Sequence, residues 1–138
     1  MPDIAIDHAH RLVARGRVAA EQAGVRAVFA VLDRGANLVT FTRMDDAWLA
    51  SNELALAKAR ASVMFRMPSE ALNAPLQVGV PAPHFDHVHA GGLLLMGGGI
   101  PLFDEQGALL GALGVSGGTP EQDAAIARAA SAYGLSLI

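Results

Sequence analysis

The sequence contains no cysteine, and this absence removes several classes of chemistry at once. Disulfides, zinc–thiolate sites, iron–sulfur clusters and cysteine nucleophiles all require that residue. No apolar run approaches the ~20 residues that a membrane-spanning helix needs, so no membrane segment is expected. The start of the chain, MPDIAIDHAHRL, lacks the apolar stretch of a secretory signal peptide. We therefore expect a cytoplasmic protein.

Charged residues are also scarce. They make up 17% of the chain, whereas a typical soluble domain has roughly 25%. The net charge is −3 and there is no basic run, so nucleic acid is not an expected partner. Few charges leave apolar patches in contact with water, and such patches often mark interfaces, so we predict a homo-oligomer. An alanine-rich composition is an alternative reason for the apolar fraction of 52%.

The length of 138 residues favours one domain over residues 1–138. Glycine and proline divide the chain into segments whose apolar residues recur with helical or strand periodicity. Asp3 and Ser69 are the predicted caps of the first helix and of a single helical turn, and Gly24 is the predicted stop of the first helix. The first half of the chain is predicted to form a helix over 3–23, strands over 25–33 and 38–44, and a helix over about 46–65. A helical turn over 69–73 and a loop over 74–92 follow. The remainder is predicted to form a short strand over 93–96, a hairpin with strands over 99–103 and 108–116, and a helix over 119–133. This order of hairpins and helices predicts an α+β fold with an antiparallel sheet.

The two outer helices carry further local signals. The last helix has Thr119 as its expected cap, Pro120 in its first position and Gln122 completing a capping box. His8 and His10 lie on the first helix, where this spacing keeps them on different faces. At most one of them can point inward, and a surface position is the expectation for both.

The segment MGGGIPLFDEQGALLGALGVSGG, residues 96–118, is rich in glycine. It has neither the P-loop pattern nor a G-x-G-x-x-G ahead of a helix, which argues against nucleotide binding. GVSGG matches the G-x-S-x-G pattern of a serine nucleophile, but all five histidines precede Ser116, so the usual chain order of a hydrolase is missing. We therefore interpret these glycines as structural residues that shape a hairpin, a bulge and the start of the last helix.

The most distinctive stretch is PHFDHVHAGG. Its three histidines, His84, His87 and His89, are candidate metal ligands, haem ligands or catalytic residues. Imidazole binds zinc, copper and haem iron, and its pKa suits acid–base work. Phe85 could cover a bound ring. The alternative is a solvated loop whose histidines make ordinary hydrogen bonds.

A second polar group consists of Arg43, Asp45, Asp46 and Lys58. Arg43 and Lys58 could hold a carboxylate beside the Gly97–Gly99 loop, as in a haem propionate or a small hydroxy acid. The alternative is a Lys–Asp or Arg–Asp pair that fixes a helix to the sheet.

Four motifs in order, RMDDAW, ALAKARAS, GGGIPLF and GALGVSGGTPEQDAAIARAA, resemble the HbpS/GlcG-like haem-degrading-domain family. This family includes the C-terminal domain of PduO-type corrinoid proteins. The matching positions are Arg43, Met44, Asp45, Ala47, Lys58, Ala59, Gly98, Gly99, Pro101, Gly114, Val115, Ser116, Gly117, Gly118 and Asp123. Asp46 departs from the pattern because the family usually has glycine there, and Arg60 departs where a small or hydroxyl residue is common.

The resemblance implies a profilin-like layered fold, with about five antiparallel strands packed with helices, in a dimer or a ring of dimers. It also implies haem, corrinoid or iron binding in some members. The leading hypothesis is a cytoplasmic small-ligand-binding protein for haem or a related tetrapyrrole. In that hypothesis Arg43, Asp45, Lys58, Phe85, Gly97, Gly98 and Gly99 contact the cofactor. The alternative is a small enzyme, metal-dependent or cofactor-free, that acts on a hydroxy or keto acid through the histidine loop.

Overall fold

The computed structural model describes residues 3–72 and 96–134. These residues form three helices, one 3₁₀ turn and four strands. In chain order the elements are α1 (Ile6–Ala23), β1 (Val28–Asp33), β2 (Leu38–Arg43), α2 (Ala50–Phe65), the 3₁₀ turn (Ser69–Leu72), β3 (Gly99–Phe103), β4 (Leu109–Ser116) and α3 (Pro120–Gly134). The predicted α+β class is confirmed. The described residues hold four strands rather than about five, and the strand predicted near 93–96 lies outside them apart from Met96.

The four strands form one antiparallel sheet in the order β2-β1-β4-β3. Alternate residues of β1 pack into different cores because successive side chains of a strand point to opposite faces. Phe29 and Val31 pack with α1 and α3, whereas Ala30 packs with Ala55 of α2. The sheet is thus the middle layer, with α2 on one face and the α1–α3 pair on the other.

Both hairpin turns are closed by an aspartate that a glycine follows two or three residues later. Asp33 Oδ1 accepts hydrogen bonds from the backbone N–H groups of Gly35 and Asn37, both at 2.9 Å. Asp104 Oδ1 accepts from those of Gln106 and Ala108, at 2.9 and 2.8 Å. Such Asx contacts fix the turns locally, which explains why sequence patterns could locate them.

Two predicted caps are wrong. Asp3 does not cap α1, which begins at Ile6 without a side-chain cap, because the Asp3 carboxylate accepts the backbone N–H of Arg34 at 2.9 Å. Ser69 does not cap its own turn, because its hydroxyl is bonded to the glycine segment described below. In both places the side chain bonds to backbone groups distant in sequence instead of to the first turn of its own helix.

The ends of the helices follow backbone conformation. Gly24 ends α1 in the left-handed conformation with φ of 70°, as predicted. α2 begins at Ala50 instead of near residue 46, because Asp46 has φ of 65°, which an α-helix does not accommodate. The capping box of α3 is confirmed, with Thr119 N donating to Gln122 Oε1 at 2.9 Å and Gln122 N donating to Thr119 Oγ1 at 3.1 Å.

The two histidines of α1 differ in environment. His10 is exposed, whereas His8 is 3% exposed. The expected surface position is therefore wrong for His8, which lies on the helix face that includes Leu12 and Gly16 at four-residue spacing. None of the helices described by the structure is long and apolar enough to span a bilayer.

Candidate functional site

A buried ion pair joins α2 to the start of α3. Lys58 Nζ lies 2.9 Å from Asp123 Oδ2 and donates a second hydrogen bond to the Val115 carbonyl oxygen at 3.0 Å. Both side chains are 2% exposed. Asp123 also accepts the backbone N–H groups of Gly117 and Gly118, at 3.4 and 2.8 Å. The carboxylate thus takes the backbone donors that an anion would use at this strand-to-helix turn.

The Gly97–Gly99 segment packs against this pair. A Cβ on Gly98, whose φ is 130°, would overlap the Val115 carbonyl oxygen and approach Lys58 Cδ to 3.0 Å. A Cβ on Gly99 would overlap the Lys58 carbonyl oxygen. Lys58 therefore lies beside these glycines, as predicted. A side chain at either glycine position would clash with the backbone, which explains why glycine occupies both.

Ser69 ties the glycine segment to the turn after α2. Its hydroxyl donates to the Met96 carbonyl oxygen and accepts the Gly99 N–H at 2.9 Å. Ser69 is fully buried. Sequence reasoning missed this contact because the partners are 27 and 30 residues away, and no local pattern signals them.

Arg43 and Asp45 belong to a different group, at the end of β2. They line a cavity of about 260 Å³, which we term the arginine cavity. Its lining residues are Arg17, Glu21, Arg26, Thr42, Arg43, Met44 and Asp45. Arg43 Nη2 donates to the Ala47 carbonyl oxygen at 2.9 Å, which orients that guanidinium group. The contacts of Arg43 and those of Lys58 share no residue, so the structure does not show the two cations acting on one carboxylate.

A larger cavity of about 540 Å³ lies along the α1–α3 pair. It is lined by Ala14, Arg15, Val18, Ala19, Gln22 and Ala129. Ala14 and Val18 follow His10 at intervals of four residues, so all three lie on one stripe of α1. Sequence reasoning missed this cavity because its apolar lining residues are mostly alanines that belong to no motif.

The histidine loop, with His84, Phe85, His87 and His89, lies outside the described residues. Its proposed ligand and catalytic roles stay predictions. Within residues 3–72 and 96–134, no group of three or more histidine, aspartate or glutamate side chains is arranged to hold a metal ion.

Comparison with known proteins identifies the family. Residues 4–132 match the family of haem-degrading HbpS-like proteins. This chain belongs to the HbpS-like family. The match confirms the resemblance seen in the four motifs and covers both the buried ion pair and the arginine cavity.

Proteins with similar sequences include two from Citrobacter freundii. A 15.0 kDa protein from the dhaT–dhaS intergenic region of Citrobacter freundii is 35% identical over 106 residues, which are 77% of this chain and 74% of the relative. The corrinoid adenosyltransferase PduO of the same organism is 36% identical over 123 residues, which are 89% of this chain. The matched part is 36% of the length of PduO, so the chain corresponds to about a third of that protein.

Solved structures share the fold closely. Klebsiella pneumoniae protein ORFY superposes with a TM-score of 0.92 at 29% identity and covers 100% of this chain and 94% of its own. The structure of HbpS has a TM-score of 0.87 at 29% identity, over 96% of this chain and 91% of its own. A complex of PduOC with haem has a TM-score of 0.85 at 32% identity, over 94% of each chain.

Proposed function

We propose that this HbpS-like chain is a cytoplasmic, homo-oligomeric haem-binding protein. The observation that carries the proposal is the haem complex of PduOC, which matches this chain over 94% of both lengths at 32% identity. The family description, haem-degrading HbpS-like, points to the same ligand class. A small-ligand role related to haem follows from these two findings, and the residues that would hold the cofactor are part of the proposal.

The cavity along the α1–α3 pair suits a tetrapyrrole in size and polarity. Haem is a flat, largely apolar ring, and sites for such ligands are mostly apolar clefts of roughly 300–1,000 Å³. Ala14, Val18, Ala19 and Ala129 supply apolar contacts, and Arg15 and Gln22 add polar groups to the lining. The residues present therefore fit the ring.

An axial ligand would complete the site. His10 is exposed and lies one helical turn from Ala14, so it is a candidate among the described residues. His84, His87 and His89 remain the candidates from the loop. We assign no ligand contact to Lys58, because its ammonium is buried and already has two acceptors. When bound, haem iron would supply redox or oxygen chemistry, and the protein would supply the axial ligand and exclude water.

Exposed apolar side chains support the oligomer. Trp48 and Leu49, between β2 and α2, are 77% and 79% exposed. Large apolar side chains next to each other in water typically belong to an interface. Light scattering after size-exclusion chromatography should give a dimer or a multiple of dimers, and a monomer at micromolar concentration would contradict this part of the proposal.

The haem proposal is tested by titrating the purified protein with haemin and recording the Soret band. We expect a red-shifted band that saturates at one haem per subunit or per dimer. Val18→Glu should abolish the band because it places a carboxylate in the apolar cavity. Leu38→Glu is the matched control, since Val18 is 55% and Leu38 54% exposed. Equal binding by both variants would exclude the α1–α3 cavity as the haem site.

The axial ligand is tested by comparing His10→Ala with a triple variant of His84, His87 and His89 to alanine. The variant that removes the ligand should shift the Soret and visible bands of the bound haem. An unchanged spectrum in both proteins would exclude histidine ligation.

A further inference from the structure

The arginine cavity holds an excess of unpaired positive charge. Arg17, Arg26 and Arg43 all line it, and all three are exposed. In the part of the chain that the structure describes, none of these three guanidinium groups forms an ion pair with a carboxylate. Guanidinium groups donate up to five hydrogen bonds in a planar fork that matches a carboxylate.

The backbone holds two of these arginines in place. Met44 N donates to the Ala27 carbonyl oxygen at 2.9 Å, and Val28 pairs with Arg43 in the sheet register. These contacts continue the antiparallel pairing beyond β1 and bring Arg26 alongside the end of β2. Arg43 is oriented in addition by its hydrogen bond to Ala47. The cationic groups are therefore attached to rigid sheet backbone, which favours a defined geometry over a diffuse charged surface.

The size of the arginine cavity limits its ligand. At about 260 Å³ it is smaller than the roughly 300–1,000 Å³ of pockets for drug-sized molecules, and it is about half the α1–α3 cavity. A cleft of this size suits a metabolite of a few carbon atoms better than a tetrapyrrole ring.

The lining also contains acceptors that require donors from the ligand. Glu21 and Asp45 are carboxylates, and Thr42 carries a hydroxyl. An ionised carboxylate only accepts hydrogen bonds, so a ligand with carboxylates alone would satisfy the arginines and repel these groups. A ligand that carries both carboxylate and hydroxyl groups satisfies both sets.

We propose that the arginine cavity binds a small hydroxycarboxylate, with Arg17, Arg26 and Arg43 on its carboxylate groups and Glu21 or Asp45 accepting from its hydroxyl. This site is separate from the proposed haem site and does not depend on it. Its ligand chemistry is that of a soluble organic acid, although haem propionates carry carboxylates too, and the experiment below distinguishes the two.

The test is isothermal titration calorimetry of the haem-free protein with malate. Saturable binding is expected, and it should weaken as sodium chloride is raised because the contacts are ionic and exposed. Succinate, which lacks the hydroxyl, should bind more weakly than malate. Absence of saturable malate binding, or inorganic phosphate competing as well as malate, would overturn the assignment.

Variants locate the site. Arg17→Gln and Arg26→Gln should each weaken malate binding by about tenfold to a hundredfold, the range expected for a lost charge-assisted hydrogen bond. Arg34→Gln is the matched control, because Arg34 lies in the β1–β2 turn at the other end of these strands. Equal affinities in all three variants would contradict the proposal.

Haemin titrations of the same variants separate the two carboxylate sources. We expect Arg17→Gln and Arg26→Gln to bind haemin as the unmodified protein does. Loss of haemin affinity without any malate binding would assign the cavity to haem propionates and overturn the hydroxycarboxylate. Failure of haemin to bind the unmodified protein would end the haem proposal and leave the malate result standing.

Discussion

The Lys58–Asp123 pair and the arginine cavity use charge in opposite ways. The pair is buried, and the structure gives both partners further hydrogen bonds to the backbone. The arginines are exposed, and among the described residues they lack an ion-pair partner. A buried charge whose ion pair and hydrogen bonds are all formed joins secondary-structure elements. Exposed charges without an ion-pair partner are available to bind a ligand. Motif resemblance alone does not separate the two, since Lys58 and Arg43 both match the family pattern.

The largest expected effect comes from breaking the buried pair. Asp123→Ala leaves the Lys58 ammonium buried without its counter-charge, which should lower the free energy of unfolding by about 3–5 kcal/mol. Urea denaturation measures this loss. The double variant Lys58→Met with Asp123→Leu should recover much of it, because no charge is then left buried.

A control for this prediction is Arg128→Gln. Arg128 lies 3.7 Å from Glu70, and the two side chains are 61% and 39% exposed. An exposed pair of this kind contributes little, so the change should be within about 0.5 kcal/mol. A loss in Asp123→Ala no larger than that of Arg128→Gln would contradict the structural role of the buried pair.

The packing of α2 on the sheet gives the next largest effect. A Cβ on Gly114 would overlap the Ala55 carbonyl oxygen of α2 and lie 2.9 Å from the Ala59 nitrogen. Backbone cannot move aside as a flexible side chain can, so Gly114→Ala should cost about 3 kcal/mol of unfolding free energy. Gly35→Ala is the control, because a Cβ there meets only side-chain atoms at 3.1 Å or more. Equal stability of the two variants would contradict the close approach of α2 to β4.

Removing the Ser69 hydroxyl should have an intermediate effect. Ser69→Ala leaves the buried Gly99 N–H and the Met96 carbonyl oxygen without this partner. An unsatisfied buried polar group costs about 1–3 kcal/mol, which thermal unfolding would detect as a lowered Tm. Ser69→Thr, which keeps the hydroxyl, should retain more stability than alanine. An unchanged Tm in Ser69→Ala would show that the contact is dispensable.

The smallest effect on stability is expected from the exposed arginines. Arg17→Gln and Arg26→Gln should change the free energy of unfolding by less than about 0.5 kcal/mol, because surface side chains without partners contribute little to stability. The same variants should lose malate affinity, so each substitution should weaken ligand binding without lowering the stability of the fold. A stability loss comparable to that of Asp123→Ala would assign these arginines a structural role. It would contradict the distinction between the buried pair and the arginine cavity.

Local signals explain most of what could be predicted from the sequence. The Thr119–Gln122 capping box, the Asp33 and Asp104 turns and the Gly24 stop depend on residues within a few positions of one another, and all are present. Their hydrogen bonds form within one turn of chain, so sequence spacing alone specifies them.

The candidate site was less predictable because its contacts are distant in sequence. Lys58 and Asp123 are 65 residues apart, and Asp3 meets Arg34 across 31 residues. The residues of the arginine cavity come from α1, the α1–β1 connection and the end of β2. Nothing in a single sequence indicates which charges will share a cavity, so Arg17 and Arg26 were missed while Arg43 was found through its motif.

Haem binding is the central claim, and an absorption titration of the unmodified protein with haemin tests it most directly. We expect a red-shifted Soret band that saturates at one haem per subunit or per dimer. A band that stays at the position of free haemin and rises without saturation would contradict the claim.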